Sequence, residues 1–459
     1  MLDCECCKYG ETYMKTGFSK RDITPPVGCE LAGFGHFLGR CSTKVLEPLC
    51  ATAMAVEDDG SAAVVISCDL LLLTAAQVAQ IRAWVEDALG LGPDRVMVCC
   101  THTHSGPATG GFYSLGVPHQ PYVENLPWRI AQAGIEAYRR MREASIHHAE
   151  VPCVDIPYNR VMNARPDREV VEQQGWAAQL PGPVDETAHV VKFVAEDDML
   201  GFFSYYSAHP VVCCDQNHII QGDFVGLATN KVQRVHPGSV GAFLQGACGD
   251  INPGYCGNDQ ETSIRDLKVF SDRYAEVIES GLAQAEQVED RGVATARKVA
   301  RIPQTPPDRA ELEREIRQIQ EWLCSQEAEQ NQAAKNGQVA DLIGMRKVLE
   351  LLDVTPEPIR DVDLMAIRFG GITLVSNPFE LYNGIKNQVQ AHMYGRRVLV
   401  VGYANDYIGY APVAADYENK GSYGAYQVPR FIGEPAFGPY LEQRLVDEMT
   451  DLVREVGEA

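Results

Sequence analysis

Short, continuous runs of apolar residues alternate along the chain with stretches whose apolar residues recur at helical spacing. The spacing at 75–89 predicts an amphipathic helix between two such runs. The runs predict buried strands at 62–67, 95–100, 190–194, 200–206, 240–244, 363–369, 372–376 and 397–402. Because buried strands that alternate with helices are typical of α/β proteins, we predict a mixed, largely buried β-sheet flanked by helices.

Residues 308–352 differ in character, since they are rich in Glu, Gln, Ala, Leu and Arg and contain no proline. They predict a helical hairpin, broken near Asn336 and Gly337, that is inserted between strands. Two interpretations of this insertion remain: a solvated helical cover, or a lid or dimerisation arm. A homo-oligomer is therefore possible. The predicted organisation is an N-terminal tail, residues 1–16, followed by one domain, residues 17–459.

Composition narrows the class of protein. The 459 residues are 45% hydrophobic and 22% charged, which excludes a mainly disordered or fibrous chain. The formal net charge of −22 provides no field that would attract a phosphate backbone. Nucleic acid and anionic membrane are therefore poor partner hypotheses.

The cysteines and the N-terminus bear on location. Several of the 15 cysteines lie inside apolar runs, where a reduced cysteine behaves as a small buried hydrophobe. The first residues contain no apolar core of a signal peptide, and no run is long enough for a membrane span. We expect a cytoplasmic protein. The cluster Cys4, Cys6 and Cys7 is either a metal-binding group or part of a mobile tail.

Two histidines follow directly after the predicted strand 95–100, in the motif THTHSGP at 101–107. Ligands of open α/β sheets collect beyond the carboxyl ends of strands. Side chains two residues apart in an extended segment point the same way, so His102 and His104 can face one site. Imidazole is a common zinc ligand. On these residues alone, a metal site and two histidines bonded to the backbone remain alternatives.

Three more predicted strands run into residues that would complete such a site. Their ends lead to His209, to Glu380 and to a tyrosine-rich segment that finishes at Tyr410. Two histidines, one carboxylate and an open position form a common catalytic zinc set. The shared placement at strand ends favours a metal hydrolase, although each residue alone is compatible with ordinary packing.

A loop rich in glycine, QGACGDINPG at 245–254, follows the strand 240–244. Its glycines allow backbone amides to approach a ligand closely. Asp250 is a candidate base, or a group that orients a ligand histidine. Together with Asp69, His104 and Asp223, it is also a candidate for a second cation site, which would make the protein a two-metal hydrolase.

In their order, these motifs resemble the catalytic N-terminal domain of the neutral/alkaline non-lysosomal ceramidases. The resemblance spans residues 17–429. It rests on GFSKRDITPP at 17–26, AGF at 32–34, THTHSGP at 101–107, Asn159-Arg160, AHP at 208–210, GDINP at 249–253, Glu380 and YANDYIGY at 403–410. It implies the family's α/β fold and a zinc-dependent hydrolase that acts on an amide bond.

The resemblance also implies the zinc ligands. One catalytic zinc would be held by His102, His209, Glu380 and Tyr410. Tyr410 as the fourth ligand would be displaceable by substrate.

Four further residues receive roles from the same resemblance. His104 would stand beside the zinc as an acid/base or substrate-orienting group, and Arg160 would contact the substrate. Tyr423 would stabilise the developing oxyanion, with Tyr417 as a competitor for that role. The family's loop has a serine where this chain has Asn252. Asparagine cannot attack a carbonyl, so we expect metal-activated water as the nucleophile, and the Asn252 amide would donate to the oxyanion.

The expected function is hydrolysis of an amide or related acyl bond in a small, polar substrate, with His104 or Asp250 assisting deprotonation of the water. The chain ends before the immunoglobulin-like domain of ceramidases and has no visible export signal, which we take as an argument against a lipid substrate. A metal-bearing scaffold without catalysis is the alternative. We favour an enzyme, because a binding module has no need of His104, Arg160 and Tyr423.

Overall fold

The structure is a computed structural model. It describes residues 14–35, 39–162, 183–196, 198–254, 259–288 and 291–458. The cluster Cys4, Cys6 and Cys7 and most of the predicted tail, residues 1–16, lie outside these ranges. The first strand begins at Met14, so residues 14–16 belong to the folded domain.

Groups of strands are separated by helices along the described chain. The strands are β1 Met14–Asp22, β2 Lys44–Val45, β3 Cys50–Asp58, β4 Ser61–Cys68, β5 Val96–Cys100, β6 Arg142–Pro152, β7 Pro157–Asn159, β8 Thr187–Ala195, β9 Asp198–Tyr206, β10 Ile219–Ile220, β11 Val240–Gln245, β12 Ile251–Pro253, β13 Glu286–Gln287, β14 Val293–Pro303, β15 Ile359–Phe369, β16 Ile372–Ser376, β17 Glu380–Leu381, β18 Arg397–Val401 and β19 Tyr410–Ala411. The α-helices are α1 Ala75–Leu89, α2 Gln120–Arg139, α3 Asp223–Val235, α4 Gln260–Gln284, α5 Arg309–Leu323, α6 Gln326–Gln330, α7 Gln332–Val354, α8 Asn383–His392, α9 Val428–Ile432 and α10 Tyr440–Glu458.

Two sheets form the centre of the fold. The larger has the order β11-β9-β8-β6-β1-β3-β4-β5, with β13 also paired to β6. Its two ends, β11 with β9 and β4 with β5, are parallel, and its middle is antiparallel. The smaller sheet has the order β14-β15-β16-β18, and β16 and β18 are parallel. The α/β class and the mixed sheet are thus confirmed, but the buried strands divide between two sheets.

The two sheets face each other across a shared apolar core. Phe193 and Phe203 of the larger sheet meet Phe369 of the smaller one, with ring centroids 6.2 and 6.3 Å apart. Along β15, Met365 and Ile367 face this core, whereas Ala366 between them joins the outer core against α8 and α10. Both faces of such strands are buried, which explains their continuous apolar sequences.

Helices cover the outer faces of both sheets. The pair α1 and α2 packs on β3 and β4, and α3 and α4 pack on β8 and β9. The cysteines in the apolar runs, Cys99, Cys100, Cys213 and Cys214, are buried as predicted. Within the described residues, no helix combines the length and apolarity needed to cross a membrane.

The predicted helical insertion lies between β14 and β15 as three helices, α5, α6 and α7. The predicted break near Asn336 and Gly337 is wrong, because both residues lie inside α7. The chain breaks instead before α6 and before α7. At these points the Ser325 and Asn331 side chains accept hydrogen bonds from the amides of Ala328 and Ala334 and cap the new helices.

The insertion packs against α9. Arg430 of α9 forms ion pairs with Glu315 of α5 at 2.8 Å and with Asp341 of α7 at 3.0 Å. Gly344 of α7 lies directly under the backbone of α9, since a Cβ atom there would meet the Arg430 carbonyl oxygen at 2.1 Å. The insertion therefore supports the segment that carries α9.

Candidate metal centre

A cavity of about 170 Å³ lies just beyond the ends of β5 and β9. Its polar lining contains every predicted site residue except Asp250: His102, His104, Arg160, His209, Asn252, Glu380, Tyr410 and Tyr423. Most of these residues lie at or just after strand ends, on segments far apart in sequence that the fold brings to one place. The remainder of the lining is largely apolar and includes Phe34, Val428 and Phe431.

Two histidines present the same ring nitrogen to this cavity. His102 Nδ1 lies 2.9 Å from the carbonyl oxygen of Leu71, and His209 Nδ1 lies 2.5 Å from that of Cys248. A carbonyl can only accept, so each Nδ1 carries a proton, and in the neutral ring each Nε2 has a free electron pair. Such partners orient metal-binding histidines in known sites.

The backbone at His102 is unusual. Its φ angle is 65°, in the left-handed region, and its amide donates to the carbonyl oxygen of Leu70 at 2.9 Å. A residue with a Cβ atom is strained in this conformation. The strain turns the imidazole away from the line of β5 and into the cavity.

Glu380 lies between the two histidines. Its Oε2 atom is 2.9 Å from His209 Nε2 and 3.5 Å from His102 Nε2. Tyr407 donates its hydroxyl hydrogen to Oε1 at 2.5 Å. Although burial acts to raise it, the neighbouring His102 and His209 hold the pKa of Glu380 well below its usual value. The carboxylate is therefore ionised.

His104 differs from the other two histidines. The Phe34 amide donates to its Nδ1 at 3.3 Å, so in the neutral ring the proton is on Nε2. That Nε2 lies 3.2 Å from His102 Nε2. Burial lowers the pKa of His104 well below its ordinary value, and the nearby His102 adds to the effect. His104 is thus a neutral hydrogen-bond donor beside the group rather than an equivalent member of it.

The spacing of the donor atoms fits a small transition-metal ion. Two nitrogen ligands at ~2.0–2.1 Å in a tetrahedral arrangement would be about 3.3 Å apart. The separations of 2.9 and 3.5 Å from the Glu380 oxygen to the two histidines bracket that value. Ring nitrogens of His102, His104 and His209 all lie within 4.8 Å of one another. Imidazole and carboxylate are also the ligand types that zinc accepts.

Tyr410 is held opposite Glu380 by strand pairing. The two residues are partners in the parallel pair of β17 and β19. Arg160 donates from Nη2 to the Tyr410 hydroxyl at 2.8 Å and to the carbonyl oxygen of Gly249 at 2.7 Å. Burial raises the pKa of Tyr410 well above its usual value, and the Arg160 guanidinium acts in the opposite direction.

Tyr423 and Asn252 lie at the cavity wall. The Tyr423 ring is 5.5 Å from the Tyr410 ring, and its side chain is 41% exposed, which places it at the rim. The Asn252 Oδ1 atom is buried and has no hydrogen-bond partner within the described part of the chain. Tyr417, the competitor of Tyr423, does not line this cavity in the described structure.

The structure does not bring Asp250 into the cavity formed by the described residues. Its two carboxylate oxygens accept hydrogen bonds from the Asn159 side chain at 2.9 Å and from the Asn383 amide at 2.8 Å. The carboxylate joins β7 to the start of α8 and is therefore a structural group. The predicted role of Asp250, as a base or as a group that orients a ligand histidine, stays a prediction, and the residue lies outside the cavity lining.

The predicted second cation site is not assembled either. The Asp69 carboxylate accepts from the amide of Cys50, and the Asp223 carboxylate accepts from the amides of Val212, Cys213 and Phe224. Neither aspartate lines the cavity among the described residues. The carboxylates of Asp69 and Asp223, which the sequence offered as candidate cation ligands, thus accept hydrogen bonds from backbone amides instead.

Sequence reasoning missed three contributors to the site. Tyr407 bonds Glu380, Phe34 orients His104 through its amide, and Phe431 forms part of the apolar wall. Tyr407 and Phe34 lie inside the motifs YANDYIGY and AGF, but neither motif indicates which tyrosine reaches the carboxylate or that a backbone amide is used. No sequence signal marks Phe431.

Two stacked sheets with a histidine and glutamate cavity at the strand ends define an α/β protein with a candidate transition-metal centre. The sequence profile "neutral/alkaline non-lysosomal ceramidase, N-terminal" matches residues 14–281. The chain belongs to this family.

Individual relatives agree with this assignment. Neutral ceramidase of Drosophila pseudoobscura pseudoobscura is 25% identical over 288 residues, and that of Drosophila melanogaster is 26% identical over 289 residues. Each match covers 58% of this chain and 40% of the relative, so the chain spans less than half of the curated proteins it matches. The crystal structure of neutral ceramidase from Pseudomonas aeruginosa has a TM-score of 0.72 and 18% identity, over 97% of this chain and 75% of that one. This last likeness confirms the fold.

Proposed function

We propose that the protein is a zinc-dependent hydrolase of an amide bond in a small acyl substrate. The observation that supports this most directly is the paired orientation of His102 and His209. Each donates its Nδ1 proton to a backbone carbonyl and directs Nε2 at Glu380 inside one cavity. Membership of the ceramidase family supports amide hydrolysis as the reaction class.

The zinc ligands in this proposal are His102, His209, Glu380 and Tyr410. A zinc ion held there would supply a Lewis acid and would lower the pKa of a water molecule to about 7. Arg160 keeps the Tyr410 hydroxyl in place through its 2.8 Å hydrogen bond. The four side chains come from four segments that are far apart in sequence, two of them the paired strands β17 and β19, so the folded chain itself preorganises the set.

Three other residues act on the substrate. His104 donates a hydrogen bond from Nε2 and orients a substrate oxygen, because its Nδ1 is already bonded to the Phe34 amide. Tyr423 at the rim and the Asn252 amide donate to the oxygen that gains negative charge as the carbonyl is attacked. In this arrangement His104 is a donor, so it does not remove the proton from the attacking water.

The cavity supports a short acyl group. The volume of the cavity is about 170 Å³. Sites for drug-sized ligands span ~300–1,000 Å³. One wall is apolar, with Leu71, Leu115 and Val211 among its residues. We therefore infer a short-chain N-acyl amide with a polar leaving group.

Zinc content and turnover test this proposal together. The purified full chain is expected to bind zinc and to hydrolyse short N-acyl amides faster than long-chain N-acyl sphingoid amides. His102→Ala and His209→Ala should each lose zinc from this site and lose turnover. His236→Ala is the matched control, since His236 is a surface histidine paired with Glu279 at 2.9 Å. Full turnover in His209→Ala would contradict the proposed site, and a preference for the long-chain substrate would contradict the substrate class.

A further inference from the structure

A second group of metal-ligand side chains lies outside the cavity. It consists of His148 and Glu150 on β6 and His189 on the adjacent strand β8. Each offers one ligand atom, and these atoms lie within 4.8 Å of one another. The proposed hydrolysis does not use these residues. We propose that they form a second transition-metal site, of the type that binds zinc.

Strand register explains why the three side chains converge. Glu150 and His189 are direct partners in the antiparallel pair of β6 and β8. His148 precedes Glu150 by two residues and therefore projects from the same face. Its neighbour His147 projects from the opposite face. A diagonal neighbour such as His148 is within reach of His189 across the strands.

The distances suit an ion between the rings. His148 Nε2 lies 3.0 Å from His189 Nδ1. This is close to the nitrogen–nitrogen distance of about 3.3 Å expected for two ligands of a tetrahedral zinc ion. The rings are nearly parallel, with an interplanar angle of 22° and centroids 5.3 Å apart. β6 is bonded to β8 on one side and to β1 and β13 on the other, so the sheet holds both ligand-bearing strands in place.

Burial and local charge are compatible with binding. His148 is 9% and His189 is 8% exposed, whereas Glu150 is exposed and opens the group to solvent. Burial favours the neutral form of both rings. Neutral imidazole is the form that binds metal.

The surrounding charges are balanced. The cations Arg397 and Lys386 act on the histidines electrostatically, and Lys386 is paired with Asp185 at 2.7 Å. Glu286 of β13 is the register partner of His148 and adds a carboxylate on the same face. Two carboxylates, those of Glu150 and Glu286, thus remain to offset a divalent ion. The competing explanation is a metal-free pair in which one imidazole donates a hydrogen bond to the other.

Zinc stoichiometry distinguishes the two explanations. The full chain would be stripped with a chelator, dialysed against zinc chloride and measured by plasma emission. The wild type should bind two zinc ions per chain, and the double variant His148→Ala/His189→Ala should bind one fewer and keep its hydrolytic activity. His147→Ala is the control, because it removes the adjacent histidine from the opposite face. Unchanged zinc content in a folded double variant would overturn the proposal.

Two further variants keep the test decisive. Glu150→Gln removes an exposed ligand without opening the core, and the zinc dissociation constant of this site should rise by at least about tenfold. An unchanged constant would refute the site even if the double variant failed to fold. His209→Ala separates this proposal from the function above. If His209→Ala retains all its zinc while the double variant loses one equivalent, the catalytic assignment fails and the second site stands.

Discussion

Gly344→Ala is a substitution outside the cavity whose effect can be worked out from contacts. The added Cβ atom would lie 2.1 Å from the Arg430 carbonyl oxygen and 2.9 Å from that of Phe431. Real Cβ atoms essentially never approach another heavy atom within 3.0 Å. Both obstacles are backbone atoms of α9, so no side chain can rotate away, and α7 and α9 must separate by about 1 Å.

The expected size follows from two opposing effects. Overpacking costs about 1–3 kcal/mol, and replacing a glycine inside a helix returns up to ~1 kcal/mol. We therefore expect Gly344→Ala to lower the free energy of unfolding by about 1–2 kcal/mol. Because α9 supplies Val428 and Phe431 to the cavity wall, the Michaelis constant should also rise.

Gly226→Ala provides the matched control. Gly226 also lies inside a helix, α3, but a Cβ atom there would meet nothing within 4 Å. The same substitution should therefore stabilise the protein by about 0.5–1 kcal/mol and leave turnover unchanged. Urea unfolding followed by circular dichroism, together with steady-state kinetics, measures both variants. The reasoning is refuted if Gly344→Ala is as stable as the wild type, or if the two variants shift stability in the same direction.

Three further predictions concern single buried groups. Tyr407→Phe removes the 2.5 Å hydrogen bond to Glu380 and should weaken zinc binding by about 10–100-fold, measured by competition with a chelator. Asp363→Ala leaves the buried Arg82 guanidinium without its carboxylate at 2.6 Å and should lower stability by about 3–5 kcal/mol in urea unfolding. Burial raises the pKa of Asp223 to about 6, from ~3.9 in an unfolded chain. Its contribution to stability is complete below pH ~4 and is lost as the pH rises through about 6, so Asp223→Asn should flatten the pH dependence of unfolding in this window.

Each of these predictions has an outcome that would contradict it. Equal zinc affinity in Tyr407→Phe would show that the hydroxyl does not organise the carboxylate. For Asp363, the control is Asp272→Ala, which breaks a surface pair with Lys231 and should cost no more than ~1 kcal/mol. Equal losses in the two variants would refute the burial argument. An Asp223→Asn variant with the wild-type pH slope would show that other groups set that slope.

The sequence predicted the strand-end positions of the candidate ligands because local patterns encode them. A buried strand has a recognisable apolar run, and His102 and His209 each follow such a run within a few residues. The sequence did not predict that the runs form two sheets. Both faces of β15 are buried, with Ile367 in one core and Ala366 in the other. Its apolar sequence therefore does not indicate which layer each face packs against.

The errors concern choices that depend on neighbours distant in sequence. The sequence placed Asp250 with the site residues, but its carboxylate lies outside the cavity lining and accepts hydrogen bonds from Asn159 and Asn383. Gly337 is an ordinary helix breaker, yet it is tolerated inside α7, because Ser325 and Asn331 provide better capping positions upstream. Tertiary packing decides which hydrogen-bond partner each polar group has, and these partners cannot be identified from a single sequence.

The left-handed backbone at His102 has a consequence for how the protein can change over time. Glycine or asparagine would relieve that torsion, but either replacement would also remove the buried ring that donates to the Leu71 carbonyl oxygen and lies in the candidate metal centre. The strained torsion and the placement of this ring are therefore coupled, and a replacement that removes one also removes the other.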